Sequence, residues 1–248
     1  MLNFEEIGQG KTTKIYRDGN IAIKLYENTP LDEVEKEAAL QRFAYDAGLP
    51  IPIVYGIRNM NENSIALYME YINGLPLMHP DMDKNERKNA IHTLVKLQRE
   101  VNKVKATGLP TQANSFIWKI NESQYLSDIQ KKELLNRISQ LYTDSENLCH
   151  GDFHPLNILF DGKKHFIIDW VDATAGNPLA DACRTYIILK QHISRLAGIY
   201  LKQFCIEAKV NQDDVLAWLP VIAAVRLREN MDDKARKWLL DIILNQEL

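Results

Sequence analysis

The chain is short of several things that would narrow its class at once. It has three cysteines in 248 residues, Cys149, Cys183 and Cys205, spaced with neither a metal-ligand nor a redox pattern. A sparse, odd count argues against a disulfide framework and fits a reducing compartment. No apolar run approaches the ~18–20 residues that a membrane helix requires. The opening "MLNFEEIGQG" is neither basic nor apolar enough for a secretory leader. Charge of one sign is also lacking: the net value is −3, so nothing global points to nucleic acid or to an anionic membrane. Internal repeats and low-complexity linkers are absent. What is present is an ordinary globular composition, 46% hydrophobic and 25% charged, in a chain long enough for one large domain or two modest lobes. A cytoplasmic protein is expected.

A P-loop is lacking as well, although "GQGKTT" (residues 8–13) carries its Gly-Lys-Thr tail. The pattern requires a glycine five positions before Gly10, where the chain has Glu5, and a helix directly afterwards. Instead "KIYRDGNIAIKLY" alternates, is rich in β-branched and aromatic residues, and is broken by Asp18-Gly19. That is the signature of two strands around a hairpin turn. Gly8 and Gly10 therefore belong to a glycine-rich flap between strands.

The first third reads as strands over 3–8, 12–17, 20–26, 53–59 and 64–71, with one helix over 31–48 that ends at Gly48-Leu49-Pro50. Beyond "NGLPL" the character changes. Helices are expected over 83–106 and 126–143, a short strand-loop-strand passage over 148–169, and three or four helices from Leu179 onward. The fold class is α+β: a five-stranded antiparallel lobe with one helix, a hinge near 71–76, then a mainly helical lobe. The lobes are placed at 1–72 and 73–248.

The chemistry concentrates in "LCHGDFHPLNILFDGKKHFIIDWVD", residues 148–172. Asp152 and Asn157 stand in a loop with Asp-x4-Asn spacing, and a hairpin through Asp161-Gly162 returns the chain to Asp169. One carboxylate, one amide oxygen and a second carboxylate can thus meet. Oxygen donors of this kind suit Mg²⁺, a hard ion that keeps several waters and takes one or two protein carboxylates plus phosphate oxygens. With Asn157 and Asp169 as metal ligands, Asp152 is free to accept a proton from a hydroxyl, the division of labour that phosphoryl transfer needs. His150 and His154 are four apart, a metal-binding spacing only on a helix, and Gly151 and Pro155 oppose a helix there. His150 is read as a partly buried brace of the loop.

"HGDFHPLN" resembles the H-G-D-x4-N loop of the aminoglycoside phosphotransferase and choline kinase group, small-molecule kinases of the protein-kinase-like superfamily. The resemblance runs from about residue 3 to 190. It implies a bilobal protein-kinase-like fold and an ATP- and Mg-dependent phosphotransferase, with GTP as the variant nucleotide. Gly8 and Gly10 then cover the phosphates, and Lys24 of "IAIK" reaches them. Glu37 pairs with Lys24 in preference to Glu33. In the linker "LYMEYINGLPL", Met69 guards the back pocket, and the Glu70 carbonyl and Ile72 amide bond the adenine edge. Leu159 forms the apolar floor and Ile168 lies toward the metal. Asp181 of "GNPLADACRTY" supports the catalytic loop. Gly151 in place of the kinase Arg, and the short interval from Asp169 to Asp181, argue against a protein kinase. The acceptor implied is the hydroxyl of a small molecule, aminoglycoside-like, amino alcohol or sugar-type. Candidate acceptor contacts are Asp172, Asp213, Asp214, Glu229, Asp232 and Asp233, with Trp118, Tyr186, Tyr200, Trp218 and Trp238. No nucleic-acid or membrane partner is expected, and the oligomeric state is left open between a monomer and a weak dimer. The competing readings are a pseudokinase that binds nucleotide without turnover and, further off, a protein kinase.

Overall fold

The structure, a computed structural model, describes residues 5–9, 13–142 and 145–245. The Gly10 and Lys11 positions of the flap therefore lie outside the described residues. Ten strands and nine α-helices form among the described residues. The chain divides into two compact units, one of Met1–Asp81 with Pro155–Asp172 and the other of Met82–His154 with Ala173–Leu248.

In the first unit, β1 (Glu5–Gln9), β2 (Thr13–Asp18), β3 (Ile21–Glu27), β4 (Val54–Asn61) and β5 (Ser64–Glu70) make an antiparallel sheet of order β1-β2-β3-β5-β4. The β2–β3 turn is set by Gly19, whose φ of +58° suits a residue without Cβ. Helix α1 (Leu31–Asp46) lays one stripe against this sheet. Tyr26, Val34, Ala38, Ile65 and Leu67 form the core between helix and sheet. Short β6 (Leu75–Pro76) joins a second antiparallel sheet with β8 (Ile158–Phe160) and β9 (His165–Ile167), in the order β6-β8-β9. Gly74 enables the approach to β8: a Cβ there would stand 2.8 Å from the Phe160 carbonyl oxygen.

The second unit holds α2 (Lys84–Lys103), α3 (Gln112–Asn121), α4 (Asp128–Leu141), β7 (Asn147–Cys149) and β10 (Thr174–Gly176). It continues with α5 (Pro178–His192), α6 (Ser194–Ala208), α7 (Gln212–Leu216), α8 (Leu219–Arg226) and α9 (Asp233–Asn245). Caps explain where these helices start. Asp83 and Ser127 form capping boxes with Glu86 and Gln130, and Asn177 caps α5 with Pro178 in its first turn.

Three sequence expectations are corrected. Helix α3 was not anticipated, although Thr111 caps it by accepting the Asn114 amide. Strand β10 is three residues long and pairs antiparallel with β7, too short to show a period. From Leu179 onward the described residues form five helices rather than three or four. The extra breaks fall at Ile193 and at Lys209, which takes a left-handed φ of +57° and ends α6.

Candidate active site

Lys24 lies on β3, a central strand, between Ile15 of β2 and Leu67 of β5. A central strand presents its side chains to covered faces, so the ammonium is largely out of water and needs counter-charges. It has two: its Nζ donates to Glu37 Oε1 at 2.7 Å and to Asp169 Oδ1 at 3.0 Å. Glu37 sits on the buried stripe of α1 and is 3% exposed. Its other oxygen accepts from the Tyr26 hydroxyl at 2.6 Å. Glu33, the alternative partner, is exposed. Burial lowers the Lys24 pKa, but the Asp169 and Glu37 carboxylates outweigh it, and the value stands above the ordinary one. Burial and the adjacent Glu37 push the Tyr26 phenol up as well, so it remains a donor.

Asp169 follows β9 and adopts φ +65°, uncommon outside glycine, which turns the chain sharply. Its side chain is 38% exposed. Asn157 is buried at the end of a single 3-10 turn, Pro155–Asn157. Its carbonyl accepts the Ile168 amide at 2.9 Å, so the β8–β9 hairpin brings Asn157 and Asp169 to the same end. Trp170 anchors this end, fully buried, with Nε1 donating to the Ile167 carbonyl at 3.1 Å.

The remaining predicted positions of this unit are placed as follows. Gly8 lies in β1 opposite Ile15, just past an irregularity in register, rather than in the turn. Met69 packs on the Tyr26–Val34 core. The Glu70 amide donates to the Ile53 carbonyl at 2.8 Å, and Ile72 is buried, its carbonyl accepting the Gly74 amide. Leu159 pairs with Pro76 and Phe166 in the small sheet.

In the second unit, the His150–Gly151–Asp152–Phe153 segment is gripped by one face of α5. The Gly151 amide donates to Asp181 Oδ1 at 2.9 Å. The Thr185 hydroxyl donates to the Phe153 carbonyl at 2.8 Å. Arg184 Nη2 lies 3.5 Å from Asp152 Oδ1. Residues 181, 184 and 185 are spaced i, i+3, i+4, so they share a face. Behind them Gln98 of α2 donates to Asp181 Oδ2 at 3.0 Å and to Thr185 Oγ1 at 3.1 Å, and it accepts from the Tyr200 hydroxyl. Gly151 takes φ +82°, which places its amide toward Asp181 at no side-chain cost.

His150 is fully buried, not partly, because it packs edge-on to Phe153 at 5.5 Å between ring centres. Its Nδ1 accepts the Asp152 amide at 3.2 Å. His154 Nε2 lies 3.3 Å from Asp152 Oδ2. Burial raises the Asp152 pKa, but the hydrogen bond from His154 and the charges of Arg184, His154 and His150 outweigh it. The carboxyl therefore stands well below the usual carboxylate range. The carboxylate is therefore ionised at neutral pH, with His154 at one oxygen and Arg184 near the other, an arrangement that can accept a hydrogen bond from a hydroxyl and orient it.

Sequence reasoning missed Arg184, Thr185 and Gln98. The signal available was the i, i+3, i+4 placement of Arg184 and Thr185 relative to Asp181. Two candidate acceptor contacts do not serve: Tyr200 and Trp218 are buried in the helical core. Asp214 lies exposed at the N-terminus of α7, where one of its oxygens accepts the Asn211 amide. Trp118 is 55% exposed, with the Arg228 guanidinium 4.4 Å from its ring centre.

A buried strand lysine paired to a helix glutamate, and a separate His-Gly-Asp loop clamped by a helix, define a protein-kinase-like fold. The sequence pattern of the phosphotransferase enzyme family (APH) matches residues 12–214, most of the chain. The chain belongs to that family and is a small-molecule kinase. Solved structures agree on the fold. A thermostable mutant of aminoglycoside phosphotransferase APH(4)-Ia superposes with a TM-score of 0.74 at 18% identity, covering 98% of this chain and 94% of that one. An aspartate-to-alanine variant of a thermostable mutant of that enzyme, in ternary complex with ADP and hygromycin B, gives 0.73 at 15% identity, with 98% and 94% covered. The GDP and kanamycin complex of APH(2")-IIIa gives 0.65 at 16%, with 99% and 93% covered. No curated protein sequence matches the chain significantly. Among the described residues, no helix is long and apolar enough to cross a membrane.

Proposed function

We propose that the protein transfers the γ-phosphoryl group of ATP to a hydroxyl of a small polar acceptor, in the cytoplasm, with Asp152 as the base. The observation that carries this reading is Lys24 held between Glu37 and Asp169 at 2.7 and 3.0 Å. In kinases a strand lysine paired with a helix glutamate, together with a metal-binding aspartate, must be in place for transfer.

In this reading residues 1–72 are the ATP-binding lobe and 73–248 the catalytic and acceptor lobe. Lys24 donates to the phosphates, and Gly8 and Gly10 let backbone approach them. Met69, Glu70, Ile72, Leu159 and Ile168 line the base. Asn157 and Asp169 supply an amide and a carboxylate oxygen, a donor set that fits a divalent cation retaining waters and phosphate oxygens. Mg²⁺ held there would neutralise charge on the transferred group. The acceptor hydroxyl gives its proton to an Asp152 carboxylate oxygen as its oxygen bonds to the γ-phosphorus, while the bond from that phosphorus to the β–γ bridging oxygen breaks and ADP leaves with the electron pair. Asp181 and His150 hold the loop that carries Asp152. The hygromycin B and kanamycin complexes of similar fold favour an aminoglycoside-like, amino-alcohol or sugar-type acceptor. The ADP and GDP complexes favour a purine nucleotide donor, with GTP able to replace ATP.

The test is a Mg-ATP phosphorylation screen over aminoglycosides, amino alcohols and sugars, run with wild type and Asp152→Ala. General-base loss costs about 10²–10⁴-fold, so Asp152→Ala should lose transfer to that extent while nucleotide affinity stays. Nucleotide binding without transfer to any acceptor would indicate a pseudokinase instead.

A further inference from the structure

Asp152 shares its cation. Arg184 Nη2, 3.5 Å from Asp152 Oδ1, is also 3.0 Å from Glu229 Oε1. The Arg184 side chain is 8% exposed, so its charge is divided between two carboxylates with little water to screen it. Glu229 is fixed in turn by Arg226, whose Nε lies 3.2 Å from both oxygens and whose Nη2 is 3.0 Å from Oε2. Burial raises the Glu229 pKa, and the two guanidiniums bring it below its ordinary value, so it stays ionised.

Glu229 stands in the connection between α8 and α9. It also lines a cavity of about 380 Å³ whose other walls include Glu122, Ser123, Tyr125, Asn230, Arg228 and Arg236. These are hydrogen-bonding groups rather than an apolar slot. One guanidinium nitrogen thus separates the wall of a polar cavity from the carboxylate read above as the base.

We infer that Arg184 is a positioning residue for Asp152, and that Glu229 carries acceptor recognition to it. A polar acceptor that donates a hydrogen bond to Glu229 draws that carboxylate away from Arg184. The guanidinium then commits to Asp152 and locks its orientation. The inference rests on the proposed role of Asp152, and it names the side of the second unit from which the acceptor is read.

Arg184→Met, Arg184→Lys and Glu229→Gln test it, each with a melting curve as the control for folding. Misplacing a reacting group by about 1 Å can cost ~100-fold. Arg184→Met should lower kcat by about 10–100-fold with KM for ATP unchanged, and Arg184→Lys should recover much of that loss. Glu229→Gln should raise KM for the acceptor several-fold more than KM for ATP. A second readout needs no turnover: titration of the Asp152 carboxyl by carbon NMR, assigned with Asp152→Asn. The charged and titratable groups facing Asp152 in its unit are Arg184, Glu229, His154 and His150. Losing a cation this close should move the Asp152 midpoint up by about 1–3 pH units in Arg184→Met, with Arg184→Lys between it and wild type. Folded variants with wild-type kcat, wild-type acceptor KM and an unmoved Asp152 midpoint would overturn the inference. If wild type phosphorylates nothing in the screen, the proposed function fails, and the Asp152 titration still decides whether Arg184 acts on Asp152. Should Arg184→Met not fold, Arg184→Lys and Glu229→Gln carry the same comparison.

Discussion

Lys24 shows how one side chain ties distant sequence together. It bonds Glu37, thirteen positions away, and Asp169, 145 positions away, within one compact unit. Replacing it with Met leaves Glu37 buried without its cation, though still bonded to the Tyr26 hydroxyl. The expected cost is at the low end of about 3–5 kcal/mol, read as a fall in denaturation midpoint. Glu37→Gln added to Lys24→Met should cost less than the sum of the two singles, because the pair acts as a unit. The pH dependence has a definite sign. The folded pKa of Lys24 is raised, so its contribution is fully present below the unfolded value and is lost only as alkaline pH passes the folded one. Stability across neutral pH should be flat in this respect. The meeting of Lys24, Glu37 and Asp169 was legible in the sequence because each sits in an ordered motif. Arg184 was not, because an arginine in a helix reads as surface charge until packing shows it buried beside two carboxylates.

At the scale of elements, α5 is the part that organises the loop. Its Asp181, Arg184 and Thr185 meet Gly151, Asp152 and Phe153 in order, and α2 backs them through Gln98. Thr185→Val keeps the shape but removes the bond to the Phe153 carbonyl and leaves the Gln98 amide short of an acceptor. We expect a loss of about 1–3 kcal/mol in stability. We also expect a fall in kcat with KM for ATP unchanged, checked by steady-state kinetics on the acceptor found. The strands of the five-stranded sheet were legible because most are rich in β-branched and aromatic residues and Asp18-Gly19 marks a turn. Helix α3 and strand β10 were not. The first is ten residues following Pro110-Thr111, and the second is three residues held by pairing to β7, an interaction that no local pattern encodes.

For the molecule as a whole, family membership and the matched fold establish a phosphotransferase, while donor and acceptor are the proposed part. Mg-ATP at about 100 times its Kd should stabilise the folded protein by about 2.7 kcal/mol, seen as a rise in Tm. Asp169→Ala should remove most of that rise if Asp169 helps to hold the metal. Fold class was readable because β-rich and helical segments separate along the chain. The acceptor was not, because the acids and aromatics proposed for it were spread over helices whose packing alone decides which face a cavity. Glu229 does so, while Tyr200 and Trp218 are buried.

The most direct measurement follows radiolabelled γ-phosphate from ATP onto the acceptor in a single turnover, with wild type and Asp152→Ala side by side. The account predicts label on an acceptor hydroxyl with wild type, and transfer at least about 100-fold slower in the variant with ATP binding retained. Equal rates of labelling in the two proteins would contradict it.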